Sequence, residues 1–257
     1  MRFFILGCGH MGSFLAREIA KEGEVLAWDP DPAKQAPVGA RRAATLDEMR
    51  DFAPDMLVNC ASLENTAAAF NAAIPFLPAA CLLADIASVK GDIPAYYARS
   101  GRRFVSTHPM FGPTNADLNS PGGENAILIS ESDQAGKEFF RGLYRRLGVK
   151  TYDYSFDEHD RTVAYSLSTP FASTLVFAAC MKKQDAPGTN FKKHLAIAKG
   201  LLAEDDFLLS EIMFNPYTLE QIERINQKLS YLTHVIKARD YEEMSLFLAR
   251  LRANIAD

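Results

Sequence analysis

Cysteine is scarce in this chain of 257 residues, and none of it is paired at redox or metal-ligand spacing. Cys8, Cys60, Cys81 and Cys180 stand apart, in apolar or glycine-rich surroundings. With no C-x-x-C pair, no zinc or other metal site is expected, and a reduced, cytoplasmic protein is the simple reading. Excess positive charge is missing too: 28 Lys and Arg against 32 Asp and Glu leave a net charge of -4, which argues against a general nucleic-acid binder. No uninterrupted apolar run reaches the roughly 20 residues that span a membrane. The N-terminus enters directly into a strand, without the basic region or cleavage site of a signal peptide. What remains, 48% hydrophobic and 23% charged, is ordinary globular material sufficient for two modest cores.

The first 30 residues carry an ordered pattern. Arg2-Phe3-Phe4-Ile5-Leu6 is a short apolar strand, followed at once by Gly7-Cys8-Gly9-His10-Met11-Gly12 in G-x-G-x-x-G spacing. Ser13 to Ala20 has helical periodicity, and a second strand, Glu24 to Trp28, ends at Asp29. Glycines in this setting allow a tight turn, close approach of a pyrophosphate and close helix–strand packing. The helix N-terminus attracts phosphate charge, and the acid after the second strand can bond both ribose hydroxyls. A dinucleotide site is expected on Gly7, Gly9, His10, Met11, Gly12 and Asp29. Asp29 would repel a 2′-phosphate and no arginine follows it directly, so NAD is favoured over NADP; Arg41-Arg42 keeps NADP as the lesser option.

Strands then alternate with helices: Asp55 to Cys60, Cys81 to Asp85, Arg103 to Ser106, Ala126 to Ile129 and a last strand near Lys150 to Tyr152, with helices at Thr66 to Leu77 and Gln134 to Leu147. This spacing means an α/β fold, a doubly wound and mainly parallel sheet of the Rossmann type. The loop after the third strand contains Ser62, placed where such loops run past a cofactor's ribose and nicotinamide. From about Phe156 strand signals cease. Helical patterns at Asp157 to Lys183, Phe191 to Met213, Pro216 to Ile236 and Tyr241 to Ala253 follow, broken at Gln184 to Gly188 and Asn215-Pro216. The expected division is 1–154 for the nucleotide domain and 155–257 for an all-helical domain. Its first helix is apolar on more than one face (Val163, Tyr165, Leu167, Leu175, Val176, Phe177), as in a bundle core or a subunit interface. A homodimer through this domain is expected.

The densest chemistry lies at Thr107-His108-Pro109-Met110-Phe111-Gly112-Pro113, after a strand. Two prolines stiffen the segment and remove backbone donors, and the Met110-Phe111 pair looks exposed. Ligands sit at the carboxyl ends of strands in such sheets, so His108 is a candidate acid/base group. With Asp85-Ile86-Ala87-Ser88-Val89-Lys90 before it and Glu158-His159-Asp160 after it, the chain resembles the prephenate dehydrogenase family over nearly its whole length. The resemblance implies a Rossmann domain followed by a helical dimerisation domain. It also implies NAD-dependent oxidative decarboxylation of prephenate to 4-hydroxyphenylpyruvate, or of arogenate to tyrosine, in tyrosine biosynthesis.

By the same resemblance, His108 is the catalytic base, Ser88 sits near it and the substrate hydroxyl, and Lys90 meets the anionic substrate. Residue by residue, Ser88 equally suits a cap for a helix starting near Gly91, and Lys90 a solvated loop lysine. His159-Asp160 is read as structural, because neighbours in a helix point in different directions. His10 is read as a solvent-facing loop residue, and His194 and His234 as surface residues without a metal-spaced partner. Two departures concern the substrate. Ser168 and Phe171 occupy positions where the family presents histidines, and Lys192 falls at the place of a carboxylate-clamping arginine. Lysine lacks that bidentate fork. A related dehydrogenase of another small carboxylate, and a dinucleotide-binding sensor without turnover, are the alternatives these departures leave.

Overall fold

A computed structural model describes residues 1–112 and 123–256; Pro113 of the histidine segment lies outside them. The described chain divides into two units, Met1–Val163 with Glu204–Glu211, and Ala164–Ala203 with Ile212–Asp257.

The first unit is built on eight strands: β1 (Arg2–Leu6), β2 (Glu24–Trp28), β3 (Arg41–Arg42), β4 (Met56–Asn59), β5 (Leu82–Asp85), β6 (Phe104–Pro109), β7 (Asn125–Ile129) and β8 (Lys150–Tyr154). They lie in the order β3-β2-β1-β4-β5-β6-β7-β8. Every pairing is parallel except β6 with β7. The mainly parallel, doubly wound sheet expected from the sequence is thus present, with one two-residue edge strand, β3, too short to leave a periodic signal.

Alternation along the strands sorts the core into two layers. On one face Phe3, Ile5, Val58, Ala84 and Val105 pack with α1 (His10–Ile19) and α5 (Gln134–Arg146). On the other, Phe4, Leu6, Leu57 and Leu83 meet Met49 and Phe52 of α2 (Glu48–Phe52), Phe70 of α3 (Thr66–Ala73) and Tyr97 of α4 (Ile93–Ser100). Phe156, the first residue of α6 (Phe156–Val163), covers Phe104 on this second face at a ring separation of 6.1 Å. That contact sets the start of α6 against the start of β6.

A turn of π-helix at Ala164–Ser168 follows α6 and opens the second unit. The remaining helices are α7 (Thr169–Cys180), α8 (Thr189–Leu201), α9 (Asp206–Met213), α10 (Thr218–Ala238) and α11 (Tyr241–Asn254). The pattern expected over Phe191 to Met213 is therefore two helices, with Glu204–Glu211 grouped with the first unit. Among the described residues one helical stretch, Phe156–Cys180, is long and apolar enough by length and composition to cross a membrane, with mean hydropathy 1.4. The expectation from uninterrupted apolar runs missed it because its first two turns carry Asp157, Glu158, Asp160 and Arg161.

Candidate active site

The glycine loop lies between the ends of β1 and β2. Gly7 has φ +93°, a left-handed conformation that favours glycine, and a Cβ there would lie 2.8 Å from the Cys60 carbonyl oxygen. A Cβ on Gly12 would lie 2.0 Å from the Gly7 oxygen, so only glycine allows α1 to pack this closely. Gly9 differs: nothing lies within 4 Å of the place its Cβ would take. It forms the N-cap of α1, whose first turn contains no acidic residue and receives no side-chain cap. The unspent N–H groups and the open space together suit a pyrophosphate. A cavity of about 360 Å³ adjoins them, lined by Cys8, Gly9, His10, Ser13, Arg17 and Lys34 among others.

Asp29 caps this loop from β2. Its carboxylate accepts the N–H of Cys8 at 2.6 Å and that of Asp31 at 2.9 Å. Arg42 donates to the carbonyls of Asp29, Asp31 and Lys34, so its guanidinium is engaged by backbone. His10 is exposed, as is Ser62, whose hydroxyl accepts from the Asn65 amide at 2.8 Å.

His108 lies four strands from β2, at the carboxyl end of β6. Its neighbour across β7 is Ile127, and it is 5% exposed. Phe111, expected to look outward, is 9% exposed and meets Phe14 of α1 edge-on at 6.1 Å. The aromatic ring is drawn inward by apolar burial, and it ties the histidine loop to the helix that begins at the glycines.

The main correction concerns His159. Expected as a structural residue, it is fully buried, and its Nε2 lies 2.9 Å from Nδ1 of His108. Its own Nδ1 lies 3.0 Å from Oδ1 of Asp160. Neighbouring side chains on a helix do diverge, but an aspartate is short enough to turn back onto the ring beside it. The order of protons follows from the acceptor at the end of the row. A carboxylate only accepts, so His159 carries its proton on Nδ1 and presents a bare Nε2. His108 then donates from Nδ1, and its Nε2 is the nitrogen left without a proton. Burial pushes His108 well below the usual imidazole range, with His159 and Lys90 adding to the effect. It lowers His159 as well, against the pull of Asp160. Both rings are therefore neutral near pH 7.

Ser88 is half-buried in the loop after β5, and α4 begins at Ile93 behind Asp92, so Ser88 does not cap it. Lys90 is no solvated loop lysine. It is 1% exposed, and its ammonium donates to Asp85 Oδ2 and to the Thr107 carbonyl, each at 2.8 Å. Ser168 and Lys192 belong to the second unit. Ser168 is fully buried there, donates to the Ile212 carbonyl at 3.1 Å and lies 2.7 Å from the Thr218 hydroxyl. A hydroxyl so engaged ties the π-turn to α10 and offers little to a ligand, which corrects the substrate role expected of it. Lys192 is exposed on α8, and His194 and His234 are exposed as expected. Among the described residues no group of three His, Cys, Asp or Glu side chains is placed to hold a metal.

Parallel sheet, glycine loop and aspartate define a dinucleotide-binding protein of the Rossmann class. Residues 15–138 match the family model described as "Prephenate dehydrogenase, nucleotide-binding domain". The resemblance drawn from the sequence is thus borne out. Among curated proteins the chain is 23% identical over 268 residues to arogenate dehydrogenase 1, chloroplastic, of Arabidopsis thaliana, covering 97% of this chain and 41% of that protein. The chain spans less than half the length of three curated relatives that it matches. Among solved structures, prephenate dehydrogenase from A. aeolicus, in complex with hydroxyphenyl propionate and NAD+, superposes with a TM-score of 0.84 at 20% identity, over 99% of this chain and 96% of that one. Synechocystis arogenate dehydrogenase gives 0.76 at 18% identity, over 99% and 98%. At these identities the likeness establishes the fold.

Proposed function

We propose that this chain is an NAD-dependent dehydrogenase that decarboxylates prephenate oxidatively to 4-hydroxyphenylpyruvate, with arogenate as the alternative substrate. The observation that carries the reading is the row Asp160–His159–His108, which leaves Nε2 of a neutral His108 unprotonated at the end of β6. The match of residues 15–138 to the model of the prephenate dehydrogenase nucleotide-binding domain supports the same reading.

NAD, when bound, supplies the hydride acceptor. The residues that would hold it are Gly7, Gly9, His10, Met11 and Gly12 around the pyrophosphate, Asp29 at the ribose and Ser62 further along. The unspent donors of α1 and the open side of Gly9 fit such a group. Asp29 at the end of β2, and an Arg42 already engaged by three carbonyls, favour a ribose without a 2′-phosphate. The A. aeolicus prephenate dehydrogenase, alike in fold, holds NAD+ in its complex.

The chemistry asks His108 to take the ring hydroxyl's proton as hydride departs from the same carbon; loss of the carboxylate as carbon dioxide then makes the ring aromatic. His108 Nε2 accepts that proton. Positive charge on His108 is shared through Nδ1 with His159, and Asp160 stabilises it from the far end. Ser88, half-buried and without a hydrogen-bond partner among the described residues, has a hydroxyl available to the same substrate oxygen. Lys192 is the proposed anchor for a substrate carboxylate.

The experiment is direct. Purified protein mixed with NAD and either prephenate or arogenate is expected to form NADH, followed by absorbance. Dinucleotide binding without turnover of either compound would reject the reading in favour of another small carboxylate or of a sensor.

A homodimer through the helical unit belongs to the same proposal. Tyr165 is 64% exposed, Val176 56%, Leu229 50%, Ile236 58% and Leu246 53%, a large apolar area for a lone chain. Sedimentation is expected to give twice the chain mass, and Tyr165→Glu with Val176→Glu to shift it toward one. A parent that sediments as a monomer at micromolar concentration would remove the dimer. A cytoplasmic location is proposed from the four free cysteines alone, of which Cys8 and Cys81 are buried and Cys180 is exposed.

A further inference from the structure

No step above uses Lys90, yet it is among the most buried side chains of the protein. We propose that Lys90 is a positioning residue for His108: held by Asp85, its ammonium takes the Thr107 carbonyl and so fixes the strand end that carries the histidine. The proposal rests on the reading of His108 as the base.

The sequence places Lys90 five residues after Asp85, the last residue of β5. The intervening loop turns back, and the ammonium returns to Asp85 Oδ2 at 2.8 Å. Asp85 is itself fixed: Oδ1 accepts the Tyr97 hydroxyl at 2.8 Å, and Oδ2 also takes the Ala87 N–H at 3.1 Å. From this anchored carboxylate Lys90 reaches the Thr107 oxygen, also at 2.8 Å.

Topology explains why that oxygen needs it. β6 pairs with β5 only as far as Asp85↔Ser106, and Thr107 to Pro109 pair with β7 alone. Beyond Ser106, β5 no longer supplies a ladder donor on that side, and the lysine supplies one instead. Thr107 is gripped elsewhere as well. Its hydroxyl donates to the Ile127 carbonyl at 2.8 Å and lies 3.0 Å from the Tyr144 hydroxyl. The peptide immediately before His108 is thus held by β5's loop, by β7 and by α5.

A buried ion pair adds little net stability, and replacing one by apolar groups is often neutral or better. Its presence under a catalytic strand end therefore points to geometry. Charge adds a second effect. The titratable groups around the histidine pair are Lys90 and Asp85 from β5 and its loop, Tyr97 from α4, Tyr144 from α5 and Asp160 from α6. Lys90 opposes protonation of both rings, and Asp85 favours it at His159. Without the cation His108 gains proton affinity, so the base is lost at a higher pH.

The test uses the Asp85→Asn, Lys90→Met double variant, which removes both buried charges at nearly constant volume, alongside Lys90→Arg. The double variant is expected to keep the parent's dinucleotide affinity and KM within about twofold while kcat falls at least about tenfold. The acid limb of its kcat profile moves to higher pH. Titration of the His108 imidazole by nitrogen-15 NMR moves in the same direction and needs no turnover. Lys90→Arg keeps the charge, so His108 titrates near the parent value, while its bulkier fork displaces Thr107 and kcat falls. Parental kcat in Lys90→Arg, or a parental His108 titration in the double variant, overturns the proposal. A parent inactive on prephenate and arogenate would reject the reaction instead, leaving the NMR titration to decide Lys90.

Discussion

His108→Asn is expected to lower kcat by about 10²- to 10⁴-fold while leaving NAD affinity within about twofold of the parent. Asparagine retains a polar planar group of similar reach but has no nitrogen lone pair to accept a proton. The effect falls on the chemical step because His108 lies at the end of β6, whereas the glycine loop lies between β1 and β2. The measurement is steady-state NADH formation with the NAD dissociation constant determined separately. An unaltered kcat would remove His108 from its role and leave the Asp160–His159–His108 row without a catalytic function. A loss of NAD affinity with kcat intact would instead assign the histidine to the cofactor.

The second large effect is expected at Gly12→Ala. The added Cβ would stand 2.0 Å from the Gly7 oxygen, 3.0 Å from its carbonyl carbon and 3.1 Å from the Cys60 Cβ. Two of these contacts are backbone, so no rotamer change relieves them. Either α1 moves away from β1 or the turn at Gly7 opens, and both dismantle the anion-binding end of the helix. Overpacking of this kind costs about 3 kcal/mol, which lowers the melting temperature by roughly 6–12 °C in a chain of this size. NAD affinity should fall at least about a hundredfold, read by calorimetry on the folded fraction. Gly142→Ala is the control: nothing lies within 4 Å of its new Cβ. Inside α5 the change should be neutral or stabilise by up to about 1 kcal/mol. Gly12→Ala with parental melting and parental NAD binding would sink the close-packing argument.

Much of the first unit was legible in the chain because its signals are local. The bounds of β1 and β2 agree with the apolar runs that announced them, while α1, expected from Ser13, begins at His10 and takes Gly12 into its first turn. A parallel sheet covered on both faces needs uninterrupted apolar strands, and that requirement is written residue by residue. β3 and α2 escaped notice, at two and five residues. Neither spans enough of the chain for a period to appear.

The site divides along the same line. His108 could be picked out because two prolines and a strand end surround it in sequence. His159 could not be placed beside it, being 51 residues away. The one signal for it was the family resemblance of Glu158-His159-Asp160, outweighed by a sound rule about helical neighbours that the short aspartate side chain evades. Lys90 reads in sequence as a lysine facing the anionic substrate or as a solvated loop lysine, because its partner Thr107 lies 17 residues off and on another strand. Ser168 was misassigned for the same reason: Thr218, which occupies its hydroxyl, is 50 residues downstream.

Taken alone, then, the sequence determined the fold class, the dinucleotide loop and the histidine at the strand end. Each rests on residues within hydrogen-bonding or packing reach of their own neighbours in the chain. Tertiary structure alone decided which nitrogen of His108 is bare, that Phe111 turns inward and that Lys90 is buried against Asp85. Those outcomes depend on where β6 parts from β5 and where α6 crosses its end, and such meetings of distant segments are set by the packing of the whole sheet and its covering helices.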